Sequence, residues 1–231
     1  MHKFEMHIHS ANCSACANCT PQQIIDAAEK SGYSGLVITN HFYHGNTAVD
    51  RNLPWEEFIE EYAKDYRELK KLGKKKGITV FFGIEEGFAP GREMLIYGLE
   101  PETFSEHPEF IMMSAKEKSD FVHQNGGICV CAHPFRSRDY IPEPHKAPNP
   151  NLFDGIEGFN LCNSCEENEK AMIFAKNNKK FVISGSDCHL AEHFGNAGIA
   201  FNKPVKRYSD FIKRIKKGDF TLITPYNFEI M

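Results

Sequence analysis

Five short segments of the chain each place a histidine or a carboxylate directly after an apolar run. They are Glu5-Met6-His7-Ile8-His9, Thr39-Asn40-His41, Gly83-Ile84-Glu85, Ala132-His133-Pro134 and Ser186-Asp187-Cys188-His189. Each apolar run reads as a buried strand, and helical stretches alternate with them. That alternation specifies an α/β fold. A parallel barrel collects its strand C-termini at one mouth, so residues far apart in sequence meet there. Imidazoles and carboxylates converging in this way suit a cluster of divalent transition metals. The pattern points to a metal-dependent hydrolase built on one α/β barrel.

At 231 residues the chain is long enough for such a barrel, and no composition break or repeat divides it. A single domain over residues 1–231 is expected. The net charge of −4 argues against a protein built to grip nucleic acid, although a local basic patch at a phosphate site stays open. No apolar run is long enough to cross a membrane. The chain enters a strand directly at Met1-His2-Lys3-Phe4-Glu5, without the core of a signal peptide. A cytoplasmic protein is expected, and its eight cysteines read as free thiols or ligands rather than disulfides.

Local signals place the elements. Thr20-Pro21-Gln22-Gln23 predicts a capping box with proline at the first helical position, opening a helix through Ile24, Ile25 and Ala28. Trp55, Phe58, Ile59, Tyr62, Tyr66 and Leu69 share one stripe of a long helix closed by Lys74-Lys75-Lys76-Gly77. A further helix is predicted from about Pro108 to Asn125. The proline-rich stretch 134–150 reads as a long irregular loop of the kind that is usually functional or mobile.

Within the first segment, alternation puts Glu5, His7 and His9 on one face and Phe4, Met6 and Ile8 on the other. His-x-His is a weak signal alone, and satisfied core histidines are its ordinary alternative. Repetition of donors at further strand ends strengthens it. Pro134 turns the chain out of its strand just after His133. Asp187 and His189 again have period-two spacing; a turn-capping role for Asp187 is the competing reading.

Taken together, these motifs resemble the signatures of the PHP superfamily, the polymerase and histidinol phosphatase domains. The matching stretches are Glu5-Met6-His7-Ile8-His9-Ser10, Thr39-Asn40-His41, Gly83-Ile84-Glu85, Ala132-His133-Pro134 and Gly185-Ser186-Asp187-Cys188-His189, in the family order and spanning residues 3 to about 202. The resemblance implies a distorted (β/α)7 TIM-like barrel with two or three Mn, Zn or Fe ions. It implies that His7, His9, Glu85 and Asp187 hold a first metal, and that Glu85 bridges to a second held by His133. His41 and His189 would hold a third. Asp187 would also orient an attacking hydroxide. The activity implied is hydrolysis of a small phosphomonoester or nucleotide phosphate. An amide or ester hydrolase on the same scaffold, or a non-catalytic metal-binding domain, are the alternatives.

The chain departs from the family pattern at several points. Glu5 and Asn40 stand where aspartates are usual. Glu5 is expected to accept a hydrogen bond behind the ligands, and Asn40 to play a hydrogen-bonding part. The loop after His-x-His lacks a His or Asp for the third metal and instead carries Cys13, Cys16 and Cys19. These could form a thiolate cluster, supply the missing ligand through Cys16, or be plain reduced thiols; Cys162 and Cys165 raise the same question. Glu93 stands near a missing histidine ligand and could replace it, but a solvated Glu at a strand start is the commoner case. Cys129 and Cys131 read as packing residues, and Cys188 as pointing away from its ligand neighbours. Arg136 is the first choice for a phosphate contact, ahead of Arg138 and Arg51. His44 could touch substrate or metal, a surface histidine being the ordinary alternative. Glu157 and Asn160 are polar positions that could reach the site. The partner expected is a small phosphorylated molecule, with no membrane and no indication of nucleic acid.

Overall fold

In the computed structural model, whose described residues are 1–225, nine strands form one sheet. They are β1 (His2–Glu5), β2 (Gly35–Ile38), β3 (Thr79–Ala89), β4 (Arg92–Tyr97), β5 (Ile128–Cys131), β6 (Gly155–Asn160), β7 (Phe181–Gly185), β8 (Gly198–Phe201) and β9 (Thr221–Ile223). Their order is β7-β6-β5-β4-β3-β2-β1-β8-β9. The sheet curls until its ends nearly meet. Beyond β1 and β7, Ile8 pairs in parallel with Cys188, and His9 N donates to Cys188 O at 3.0 Å. Lower down the gap is bridged by Ser184, whose hydroxyl accepts from Gly198 N (3.0 Å) and donates to Ile223 O (2.7 Å). The fold is thus mixed α/β with a barrel-like sheet. Residues 226–231, included in the expected single barrel, lie outside the described residues.

The distortion has a covalent cause. Only residues 90–91 separate β3 from β4, and Gly91 takes φ +65° in that turn. A parallel pair needs a crossover of a dozen or more residues, so β4 must run antiparallel to β3; it is antiparallel to β5 as well. β8 is antiparallel to β1, and β9 to β8. The distorted barrel expected from the sequence therefore carries antiparallel pairs at these places.

Helices cover the outer face. In α1 (Pro21–Lys30), Thr20 and Gln23 form the predicted capping box. The long helix expected from Trp55 is split at Ala63 into α2 (Trp55–Tyr62) and α3 (Lys64–Lys76), and Gly77 at φ 72° ends it as predicted. After the short α4 (Pro101–Ser105), the predicted 108–125 helix proves to be a 3-10 turn over Pro108–Met112 followed by α5 (Ala115–Gln124). Ser114 and Glu117 make a capping box there, which sets the true start. Then come α6 (Cys165–Asn177), also boxed by Ser164 and Glu167, and α7 (Tyr208–Lys217). No described helix is long and apolar enough to cross a membrane.

Strand alternation divides the core. Leu36, Ile38, Phe82 and Cys131 pack with Ile24, Phe58 and Leu69 under the helices. Val37, Phe81, Leu95 and Val130 fill the opposite face with Phe4, Met6 and Phe211 of α7. Phe4 and Met6 belong to this second cluster, but Ile8 belongs to the first. The chain bends at His7, so the strict alternation expected from Phe4 to His9 breaks there. The bend lets His7 and His9 face the mouth above a floor of aromatic and aliphatic side chains.

Candidate metal centre

The buried side chains at the mouth converge on Glu85, near the middle of β3. His133 Nε2 lies 2.9 Å from Glu85 Oε1, and His7 Nε2 lies 3.2 Å from the same oxygen. His41 Nδ1 and His9 Nε2 approach Oε2 at 2.9 and 3.3 Å. Asp187 Oδ1 closes the group at 3.2 Å from His9 Nε2 and 3.5 Å from His7 Nε2. The opposite ring nitrogens are held from behind. His7 Nδ1 is 2.8 Å from Glu157 Oε1, His9 Nδ1 is 3.0 Å from Ser14 Oγ, and His189 Nδ1 is 2.8 Å from Asp187 O. A carboxylate or a carbonyl accepts, so His7 and His189 carry a proton on Nδ1 and turn Nε2 toward the mouth.

The hydrogen bonding of these groups suits metal binding. Among the described residues, seven buried side-chain N or O atoms lack a hydrogen-bond partner, and four of them are His7 Nε2, His9 Nε2, His41 Nδ1 and Glu85 Oε2. A buried orphan of this kind costs about 1–3 kcal/mol. Four such atoms in one place, all metal donors, make sense if cations fill the space between them. Four overlapping triads have their donor atoms within 4.8 Å of one another: His7/His9/Glu85, His7/His133/Asp187, His41/Glu85/Glu93 and His9/His41/His189. The donor set is nitrogen and oxygen, suited to divalent transition ions.

The charges fit that use. Burial alone would raise the Glu85 carboxyl, but His7, His41 and His133 hold it well below the usual range. Burial likewise opposes ionisation of Asp187, and His7, Arg136 and His9 overcome it. Burial and the neighbouring His41 bring His9 down to about 3, which leaves its ring neutral. His133 (φ 27°) and Asp187 (φ 53°) both adopt left-handed backbone, which is uncommon outside glycine and concentrates at functional sites. Asp187 and His189 therefore face inward because of this turn, and not through the strand alternation read from their spacing. Over the cluster opens a cleft of about 470 Å³, lined by Cys16, His41, Glu93, Arg136, Asp187 and His189 among others.

Comparison with known proteins agrees with this geometry. Residues 166–220 match the PHP_C family, described as PHP-associated. A search of curated proteins finds no match. Among solved structures, the chain resembles a two-domain protein from Bacteroides vulgatus containing a predicted PHP-like metal-dependent phosphoesterase. The TM-score is 0.71 at 14% identity, over 96% of this chain and 64% of that one. The family match is confined to residues 166–220, and the structural likeness is one of fold. Other structural neighbours bear different descriptions. One is the lesion-specific endonuclease EndoQ from Pyrococcus furiosus (TM-score 0.64, 14% identity, 96% of this chain and 57% of that one). Another is an amidohydrolase from Chromobacterium violaceum with bound sulfate (TM-score 0.60, 14% identity, 97% and 99%). At these identities the likeness establishes the fold alone.

Where the chain departs from the PHP signatures, the structure shows what the unusual residues do. Glu5 accepts hydrogen bonds behind the ligands as expected, from backbone amides and not from an imidazole. Its Oε1 accepts from the backbone of Met6 (2.9 Å), His7 (3.2 Å) and Ser186 (2.9 Å), tying β1 to β7 at the mouth, and burial raises its carboxyl to about 7. The imidazole partner is Glu157, which also accepts from His133 N at 3.0 Å and Asn160 Nδ2 at 2.9 Å. Asn40 accepts from Ser10 N (2.7 Å) and Ser14 Oγ (3.1 Å). Glu93 is not a solvated strand end. The antiparallel β3–β4 pair sets it opposite Gly87, with Oε1 3.2 Å from His41 Nδ1 and Oε2 3.6 Å from His133 Nε2.

The three loop thiols diverge. Cys13 is buried and donates to Tyr62 O at 3.2 Å. Cys19 is buried against Cys188. Cys16 alone reaches the mouth, with Sγ 3.1 Å from His189 Nε2. Burial would push this thiol up, but hydrogen bonds to His189 and His41 bring it down to about 6. Among the described residues the thiols of Cys13, Cys16 and Cys19 thus form no common cluster, and the eight cysteines are free. Cys162 and Cys165 are exposed; the Cys162 thiol points at Asp187 O and Ser186 O, 3.5 Å from each.

The arginine candidates separate cleanly. Arg136 enters the cleft and binds Asp187 Oδ2 (2.5 Å), Asn160 Oδ1 (3.1 Å) and Asn163 Oδ1 (3.0 Å). Arg51 is spent on the carbonyls of Tyr43 and Gly45, and Arg138 on Glu167 and Cys162 O. Arg92, passed over in sequence, lines the cleft and pins the 134–150 loop through the carbonyls of Pro134, Glu143 and Lys146. His44 lines the cleft too, but its Nδ1 is held 2.6 Å from Glu86 Oε1, which Lys118 pairs at 2.5 Å from inside the core. Nothing in the sequence marked Lys118 as buried. Ser14 was likewise overlooked among the more conspicuous cysteines; its hydroxyl joins His9, Asn40 and the His41 backbone.

Proposed function

We propose that the chain is a metal-dependent phosphoesterase acting on small phosphomonoesters or nucleotide phosphates. The observation that carries this reading is the placement of Arg136, a guanidinium in the same cleft as the orphaned donor atoms and bonded to Asp187. Guanidinium groups bind phosphoryl oxygens through paired hydrogen bonds. The cleft volume of about 470 Å³ falls in the range that encloses a small ligand.

In this reading His7, His9, Glu85, His133 and Asp187 hold two divalent ions, with His41 and His189 serving a third and Glu93 as a further oxygen donor. Such ions supply Lewis acidity that lowers the pKa of water and neutralises charge on phosphoryl oxygens. Asp187 takes the proton of the attacking water, and Glu85 contributes the charge that holds the centre together. Glu157 and Ser14 fix the rotation of His7 and His9. Arg136 orients the phosphate and keeps Asp187 ionised.

The test is a panel of p-nitrophenyl phosphate, bis-p-nitrophenyl phosphate and a p-nitroanilide, assayed with added Mn. Turnover of the monoester above the others is expected. Preference for the diester would move the reading toward the activity named for the endonuclease neighbour. Preference for the anilide would favour the amide or ester reading, for which the amidohydrolase likeness is the supporting observation. Metal analysis of protein purified without chelator should find at least two transition ions per chain; a metal-free protein that still turns over would sink the reading.

A further inference from the structure

Cys16 is a thiol that no step above uses. Its Sγ lies 3.1 Å from His189 Nε2. His189 Nδ1 is committed to Asp187 O at 2.8 Å, so Nε2 is the ring atom that faces the thiol. Two more imidazoles share this place. His9 and His41 have donor atoms within 4.8 Å of that of His189. His9 is 0% and His41 8% exposed, and His9 Nε2 and His41 Nδ1 lack hydrogen-bond partners.

The loop that carries Cys16 is fastened on both sides. Ala15 N donates to Asn46 O at 2.9 Å, and Asn18 N donates to His189 O at 2.9 Å. Two residues before the thiol, Ser14 Oγ touches both His9 Nδ1 and His41 N at 3.0 Å. One short loop therefore sets the thiol and two of the imidazoles together, which is the preorganisation a ligand set needs.

We propose that Cys16 is a thiolate ligand, with His189 and His41, of a rim metal site that takes a thiophilic divalent ion such as zinc or ferrous iron. The inference rests on reading the mouth as a metal centre and adds a ligand and a metal preference to it. On binding, the S–H bond gives way to a sulfur–metal bond and the proton leaves to solvent; nothing is oxidised or reduced. Sulfur donors favour zinc and iron over magnesium, so the rim site and the carboxylate-centred site beneath it should differ in metal preference.

The full-length protein, stripped with chelator under reductant and titrated with cobalt(II), tests this. Wild type should show d–d absorption together with a near-ultraviolet sulfur-to-cobalt charge-transfer band. Cys16→Ser should lose that band completely and keep the d–d absorption. Cys16→Asp should keep the wild-type cobalt count without the band. Cys162→Ser, at the other thiol close to Asp187, should leave the band intact. Cobalt bound without the band in wild type, or a band that survives Cys16→Ser, would overturn the thiolate and leave the metal centre standing. No cobalt bound by wild type would overturn both. Because Cys16 is exposed, far-ultraviolet circular dichroism of the serine variant should match wild type. X-ray absorption of the zinc-loaded wild type decides the point without a variant, by the presence or absence of a Zn–S distance near about 2.3 Å.

Discussion

The floor and the rim of the mouth are built in different ways. On the floor, His7, Glu85 and His133 are almost wholly buried, and a second carboxylate, Glu157, braces both histidines from behind. At the rim, His189 is braced by a backbone carbonyl, and a half-exposed thiol stands where the floor has carboxylates. Buried charges must be paired and bonded, since an unpaired one costs several kcal/mol. The floor meets that demand with a closed network of anions and imidazoles. The rim, open to solvent, can rely on a loop. The floor should therefore carry the chemistry and tolerate little change, while the rim adjusts metal and substrate.

The largest effect is expected where floor and rim meet. Asp187→Asn keeps the side chain's size but removes its charge and basicity. At saturating metal it should lower kcat by on the order of a hundredfold or more. Near-normal turnover of a phosphomonoester by this variant would refute the assigned role. Next comes Glu157→Gln, which reaches no substrate in this reading. It removes the anion that orients His7, so metal affinity should fall by roughly 10–100-fold, as read by competition with a chromophoric chelator. The same loss should not follow from changing the exposed Cys162. Equal losses at both positions would show that the Glu157 effect is not specific to its bond with His7.

Arg136→Ala sharpens the comparison from the cleft side. The sequence alone presents Arg136 as a phosphate clamp, but its bond to Asp187 at 2.5 Å gives it two tasks. KM for a phosphate ester should rise by about tenfold, and kcat should fall as well because Asp187 loses a partner. A rise in KM at constant kcat would show that the Asp187 contact does not matter to turnover. Unchanged kinetics would move phosphate binding elsewhere, with Arg92 the next residue to test, since it lines the same cleft.

The sequence revealed those parts of the molecule whose signal is local. The Thr20 box is read from adjacent residues, and the donors after apolar runs mark strand ends whatever the neighbouring strand does. It concealed what depends on strand direction. Glu93 reaches His41 because β4 doubles back across a two-residue turn, and no periodicity in the sequence reports that pairing. Glu5 has the right parity to touch His7, yet the bend at His7 turns its carboxylate onto backbone amides instead. Lys118 looks like any helix lysine until α5 is docked with that side chain against Glu86. The thiol loop was ambiguous because Cys-x2-Cys-x2-Cys spacing says nothing of where each sulfur points; only the path between Ser10 and Thr20 separates them.

That path also makes the smallest effect informative. Cys13 and Cys19 are 0% and 1% exposed, and each has a local partner, Tyr62 O for Cys13 and Cys188 for Cys19. Serine in both places keeps a donor but puts a more polar group into a packed site, so a stability loss of about 1–2 kcal/mol is expected from the double variant. Its metal content should equal that of wild type, because neither sulfur belongs to the groups of converging donor atoms. A thermal melt and elemental analysis of the same preparation read the two effects separately. If the double variant lost an ion, the thiols would act together as a cluster, and Cys16 could not be treated as a lone rim ligand. If it lost stability alone, the loop's role divides as the contacts do, with two thiols packing the core and the third left facing the metal.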